Sequence, residues 1–171
     1  VTVCVAVAAG GRVLMGADSA VTGADGSQAT LRDPKVFRSG SFVVAAAGSG
    51  DWWHLIRYRV RWPRLRAQDS EEAVRVQLVD ALSLACQDCD VEPESGETLL
   101  GIHGRIYILE GELVPVRLTT CYAAIGSGSA WALGALYATA QVPPRERVAL
   151  ALAAAAAHCA TVRRPWRWAS S

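Results

Sequence analysis

Hydrophobic and polar positions change their spacing along this chain, and each change marks an element. Residues 2–9, TVCVAVAA, are apolar and rich in β-branched side chains. Gly10-Gly11 closes them before RVLMGAD (12–18) resumes, which predicts a hairpin with a glycine turn. Residues 22–34 read as loop from their Gly, Asp and Pro content. KVFRS (35–39), Gly40 and SFVVAAAG (41–48) predict a second hairpin, whose return strand is apolar on both faces and belongs in a buried sheet.

The period then becomes helical. Ser49 to Asp51 can cap a helix carrying Trp52, Leu55, Ile56 and Val60, with Pro63 ending it. Asp69-x-x-Glu72 resembles a capping box for a second helix, with Ala73, Val76, Val79 or Asp80, Leu82 and Leu84 as its apolar positions up to Cys86. After a polar turn at 92–97, strand patterns return at 99–102, 105–109 and 113–116, and CYAAIGSGS adds one more strand that ends in a glycine-serine loop. Residues 130–140 are helical, and Pro143-Pro144 is placed to start an alanine-rich final helix through about Thr161. Strands, two helices, strands, two helices: two facing sheets with helices outside both bury all these faces, an α+β fold of the four-layer αββα sandwich type. No repeat or linker divides residues 1–171, so one domain is expected, with a C-terminal tail, RRPWRW onward, from about 163 that suits docking on a neighbouring subunit.

Composition narrows the function. A net charge of +1 gives no reason to expect a nucleic acid or an acidic membrane as partner, and no stretch approaches the ~20 apolar residues of a membrane span. Five cysteines in apolar segments suit free thiols in a reducing compartment, so the expected location is the cytoplasm. Cys86-x-x-Cys89 has no second pair, and His54, His103 and His158 have no ligand spacing, so neither a metal nor a cofactor is expected. The cationic side chains carry a sharper signal: of seventeen, only Lys35 is lysine. A compact ammonium with a movable pKa is something arginine cannot supply.

The series Thr2-Val3-x-Val5, Gly11-x-Val13-Leu14-x-Gly16-x-Asp18, Lys35-Val36-Phe37, Phe42 to Gly48 and Ala124-Ile125-Gly126-Ser127-Gly128 resembles the proteasome β-subunit family of N-terminal nucleophile (Ntn) hydrolases, with the bacterial HslV-type peptidases as its nearest branch. The likeness runs in order along nearly the whole chain. It implies a threonine peptidase in which Thr2 is the nucleophile and its own α-amine the base, Lys35 lies beside the hydroxyl, and Asp18 pairs with that lysine. Ser127 and Ser129 would belong to the serine loop that bonds the terminal amine, or cap the helix that follows. The backbone amide that meets the oxyanion would come from Ala45, or from Ala46 if the register moves by one. The expected partners are copies of the chain in a six- or seven-membered ring, stacked in pairs, an ATPase (AAA+) unfoldase, and unfolded polypeptide as substrate. Trp52, Trp53, Tyr58 and Trp62, interleaved with Arg57, Arg59 and Arg61, suit such an interface, the alternative being partial core packing with an exposed basic face.

Three features depart from the family pattern. Alanine replaces the strand-end glycine at Ala45, and the acid often found near the terminal amine has no counterpart in Ala156-Ala157-His158-Cys159. Val1 precedes Thr2 and acylates the amine that should act as base. Removal of Val1 would give an active peptidase; a non-catalytic ring-forming shell and an unrelated binding module are the alternatives.

Overall fold

In a computed structural model, which describes residues 2–23 and 25–171, the opening apolar runs form the hairpin that their glycine turn predicts. β1 (Cys4–Ala9) pairs with β2 (Arg12–Ala17) from Cys4↔Ala17 to Ala9↔Arg12, and both turn glycines take positive φ. Within 22–34 the structure departs from the expected loop: β3 (Ala20–Thr22) and β4 (Gln28–Thr30) form a small hairpin of their own. These strands are too short and polar for an alternating pattern to show.

β5 (Val36–Ser39) and β6 (Phe42–Gly48) make the next hairpin. Ser49 caps α1 (Gly50–His54) by accepting the Trp52 N–H, and the chain runs on through a π-helical turn at Leu55–Arg59. α2 (Glu71–Cys89) is capped by Ser70, one residue later than the predicted box, because the Asp69 carboxylate is taken by the Arg66 N–H. Its buried side is Val74, Leu78, Leu82, Ala85 and Cys86, while Val76 and Leu84 face outward. β7 (Gly96–Ile102), β8 (Arg105–Glu110), β9 (Val116–Arg117) and β10 (Tyr122–Ile125) follow, then α3 (Ser129–Ala138), α4 (Pro144–His158) and β11 (Arg167–Ser170). The segment expected to dock on a neighbour forms an edge strand of its own chain's sheet, antiparallel to β2 from Arg167↔Ala17 to Ser170↔Leu14.

One sheet has the order β10-β1-β2-β11 and the other β5-β6-β7-β8-β9. Period-2 alternation then assigns each strand's side chains to two layers. Cys4 and Ala6 of β1 meet Val43, Ala45 and Ala47 of β6 between the sheets. Val3, Val5 and Val7 pack outward on Leu136, Val148 and Leu152 of α3 and α4. Phe42, Val44 and Ala46 pack outward the other way, on Trp52, Leu78 and Leu82 of α1 and α2. The result is the four-layer αββα sandwich. The inner layer is closely filled: a side chain at Gly101 would run into Val43 on the neighbouring strand and Val13 on the facing sheet. Among the described residues no helix is long and apolar enough to cross a membrane.

Candidate active site

Three chain segments end at one point between the sheets. Thr2 stands just before β1, Asp18 just after β2, and Lys35 just before β5. The β1–β2 register sets Asp18 beside Val3, so that its N–H donates to the Val3 carbonyl at 3.2 Å and its Oδ1 accepts the Val3 N–H at 3.0 Å. The same carboxylate accepts the Ala20 N–H on Oδ2 at 2.9 Å. Lys35 is held by its own backbone, whose carbonyl accepts the Ala46 N–H at 3.2 Å.

From there the Lys35 ammonium donates to both other residues, to Thr2 Oγ1 at 2.9 Å and to Asp18 Oδ1 at 2.9 Å. Thr2, Asp18 and Lys35 are 4%, 0% and 3% exposed, so the ion pair acts with little screening from water. Their field reaches Cys4, whose thiol donates to the Ala46 carbonyl. Burial pushes that thiol far above the ordinary range even though the Lys35 ammonium opposes the shift, so Cys4 stays protonated.

The glycine-serine loop closes the other side of Thr2. The Thr2 N–H donates to Ser127 Oγ at 3.3 Å, and the Thr2 carbonyl accepts from the Ser127 hydroxyl and from the Gly128 N–H, each at 3.3 Å. Gly126 has φ +87°, and a Cβ there would collide with the Thr2 carbonyl, so glycine is required for so close an approach. Ser129 is the first residue of α3, and its N–H donates to the Gly126 carbonyl at 2.9 Å. The helix cap is Gly128, not either serine side chain.

Ala45 is in a different place from the one the resemblance implies. Its side chain is buried between the sheets, and on strand parity its N–H faces β7, where it pairs with Leu99. The Ala46 N–H is taken by the Lys35 carbonyl. The amide that fits is that of Gly48. Ser49 donates to Ser95 on the β7 side, so the Gly48 N–H points the opposite way, beyond the start of β5, on the wall of the cavity that also holds Thr2 and Lys35. Gly48 has φ +132°, and a Cβ there would collide with Gly96 and Ser95. In the sequence the signal was the glycine that closes the apolar strand just before the Ser49 cap.

Two further residues touch the loop. The Gly126 N–H donates to Glu97 Oε2 at 2.6 Å, and Cys159 Sγ lies 3.7 Å from Ser127 Oγ and 3.2 Å from Thr161 Oγ1. Burial alone would raise the Cys159 thiol, but hydrogen bonds with Thr161 and Ser127 outweigh it and bring the group below the ordinary thiol range. A thiol therefore stands where an acid was sought. Val1 lies outside the described residues.

The cavity over Thr2 has a volume of about 260 Å³ and is walled by Ala20, Val21, Leu31, Ala46 and Trp53. A substrate side chain can enter beside the Thr2 hydroxyl, which faces an ammonium within hydrogen-bond distance. Among the described residues no group of three or more His, Cys, Asp or Glu side chains is placed to hold a metal ion.

No protein-family model matches the chain, and no curated protein matches it. Solved structures do. It superposes on BPH from Thiobacillus denitrificans in complex with epoxomicin with a TM-score of 0.81 at 22% identity, over 99% of this chain and 98% of that one. Eukaryotic HslV from Trypanosoma brucei gives a TM-score of 0.71 at 18% identity over 99% and 98% of the two chains. The Anbu complex from Pseudomonas aeruginosa, a helical assembly, gives 0.71 at 18% over 99% and 81%. At these identities the likeness shows the fold, and the chain shares its αββα sandwich with BPH, HslV and Anbu.

Proposed function

We propose that the chain is a proteasome-type threonine peptidase, a single Ntn-hydrolase unit in which Thr2 becomes the nucleophile once Val1 is removed. The observation that carries this reading is the Lys35 ammonium, buried and 2.9 Å from both the Thr2 hydroxyl and the Asp18 carboxylate. An ammonium so placed stabilises the alkoxide character that develops on Oγ1 during attack, and Asp18 keeps the ammonium aimed. The freed α-amine of Thr2, with an ordinary pKa near ~7.7–8.0, is partly neutral at cell pH and can take the hydroxyl proton.

Oγ1 then adds to the peptide carbonyl, and the Gly48 N–H donates to the oxyanion. The intermediate collapses to an ester on Thr2 as the leaving amine takes the proton from the α-amine. Water, deprotonated by the same amine, hydrolyses the ester and restores the hydroxyl. Ser127 holds the Thr2 nitrogen during these transfers, with Ser129 behind it at the start of α3. Ala20, Val21, Leu31, Ala46 and Trp53 make most of the cavity wall apolar, with Thr22 and Ser49 among them, which favours peptides with an uncharged apolar side chain next to the scissile bond. Self-association of the chain, an unfoldase that feeds it unfolded polypeptide, and a cytoplasmic setting complete the proposal; the helical assembly of Anbu supports the first of these.

The test compares two chains, one with Val1 and one beginning at Thr2, each incubated with epoxomicin and weighed intact. The Thr2-first chain should gain one epoxomicin per subunit, located on Thr2, and hydrolyse small apolar peptide amides, while the Val1 chain does neither. A folded Thr2-first chain that takes no label and cleaves nothing would leave the non-catalytic shell as the better account.

A further inference from the structure

We infer that Glu97 is a positioning residue for this site, a carboxylate on one sheet that fixes the loop holding the nucleophile on the other. The inference rests on the proposed role of Thr2. Glu97 is the second residue of β7, in the sheet that carries Lys35 and Gly48, whereas the Gly126–Gly128 loop follows β10 in the sheet that carries Thr2. The Gly126 N–H donates to Glu97 Oε2 at 2.6 Å, a charge-assisted bond across the interior of the sandwich.

The loop's other side-chain and backbone contacts are to Thr2 and, through Ser127, to Cys159. Ser127 Oγ meets the Thr2 nitrogen, and Ser127 and Gly128 both meet the Thr2 carbonyl. A Cβ placed on Gly126 would meet that same carbonyl and the Ala47 methyl. Its φ of +87° is a conformation that glycine adopts freely, so the glycine does not by itself hold the turn in one shape. The Glu97 carboxylate supplies what the glycine lacks, a strong acceptor at a fixed place. Ala47, whose methyl lies where a side chain on Gly126 would extend, is also the β6 residue paired with Glu97, so the carboxylate, the methyl and the loop share one region. That region links the position of Thr2 to the strand pair that ends in Gly48, and hence links the nucleophile to the amide proposed to meet the oxyanion.

The test uses the Thr2-first chain and three variants, Glu97→Ala, Glu97→Asp and Glu97→Gln. Shortening by one methylene in Glu97→Asp keeps the charge but withdraws the acceptor, and Glu97→Gln keeps an acceptor without the charge. Hydrogen exchange is followed in a peptide spanning residues 122–131, alongside kcat and KM for an apolar peptide amide. Glu97→Ala and Glu97→Asp should each quicken one amide in that peptide by about tenfold or more and lower kcat by roughly 10- to 100-fold, as expected for a displaced reacting group, with KM within about twofold. Glu97→Gln should keep most of both.

Unchanged exchange in both Glu97→Ala and Glu97→Asp overturns the inference, as does quickened exchange with kcat unchanged, which would make the bond structural only. If Glu97→Ala fails to fold, Glu97→Asp decides by the same two readings. A parent Thr2-first chain that cleaves nothing would sink the proposed peptidase instead, and the exchange rates would still decide whether Glu97 fixes the loop.

Discussion

Lys35 and Asp18 are buried together, and each is expensive to leave alone. The carboxylate accepts from Val3, Ala20 and Lys35, so removing the ammonium strands a charge whose remaining donors are two backbone amides. Breaking a buried ion pair from one side costs about 3–5 kcal/mol, and the two amides place this pair near the lower end. Lys35→Met should therefore lower the unfolding free energy of the Val1 chain by roughly 3 kcal/mol in urea, whereas Thr2→Ala, which removes one hydrogen-bonding hydroxyl, should cost about 1 kcal/mol. A Lys35→Met chain within about 1 kcal/mol of the parent would mean that the pair is not the structural centre described above. At this scale the sequence was informative. Composition singled out the lone lysine among arginines, the resemblance named Thr2 and Asp18 beside it, and Lys35 reaches both within hydrogen-bond distance. Glu97 and Cys159 could not be found that way, because each acts through a loop that is distant in sequence and neither belongs to a motif.

Elements with a strong apolar period were legible, and elements held by pairing alone were not. β1 and β6 announce themselves because each is a run of mostly small or β-branched apolar residues closed by glycine, and β2 and β5 because glycine turns join them to those runs. The register of β6 was harder to read: Ala45, Ala46 and Ala47 are alike in sequence, and only their partners on β5 and β7 show which amide is spent and which side chain faces the core. α2 misled for a related reason, since Val76 and Leu84 are apolar yet exposed, and the buried set is fixed by contact with the β6–β8 sheet. β11 is the clearest case. Arg167–Ser170 has no strand pattern, but it covers the open edge of β2, and Trp166 and Trp168 pack with Val148, Leu152 and their neighbours. Ser19 ties the segment down further, its hydroxyl donating to the Pro165 carbonyl at 2.7 Å. Deleting residues 166–171 removes two half-buried tryptophans and a strand pairing. It should lower stability by on the order of 3 kcal/mol and leave β2 as an exposed edge prone to aggregation. Urea unfolding and light scattering check both effects, and a deletion variant as stable and as soluble as the parent would show that the strand contributes nothing.

At the scale of the whole molecule, one surface is out of keeping with an isolated chain. α3 carries no charged residue, and its inward side is already used by Ala132 and Leu136. Its outward side presents Trp131, Leu133 and Tyr137, with Tyr137 77% exposed, and Leu150 of the adjoining α4 is exposed as well. A helix that is apolar on every side belongs in an interior, and exposed apolar groups of this size mark contact with other protein. The active-site proposal gives such contact a use, since copies packed together would enclose the cavity over Thr2 and limit it to chains already unfolded. The expected state in solution at micromolar concentration is therefore an assembly whose mass, by light scattering, is a sixfold or higher multiple of the 18.1 kDa chain. Leu133→Glu with Tyr137→Glu should reduce that mass, because burying two carboxylates at a contact costs several kcal/mol for each ion. Labelling of the Thr2-first double variant by epoxomicin separates the two effects: a smaller particle that still takes the label places α3 at the contact and outside the chemistry. A parent chain that runs as an 18.1 kDa monomer would count against assembly and against the enclosed peptidase together.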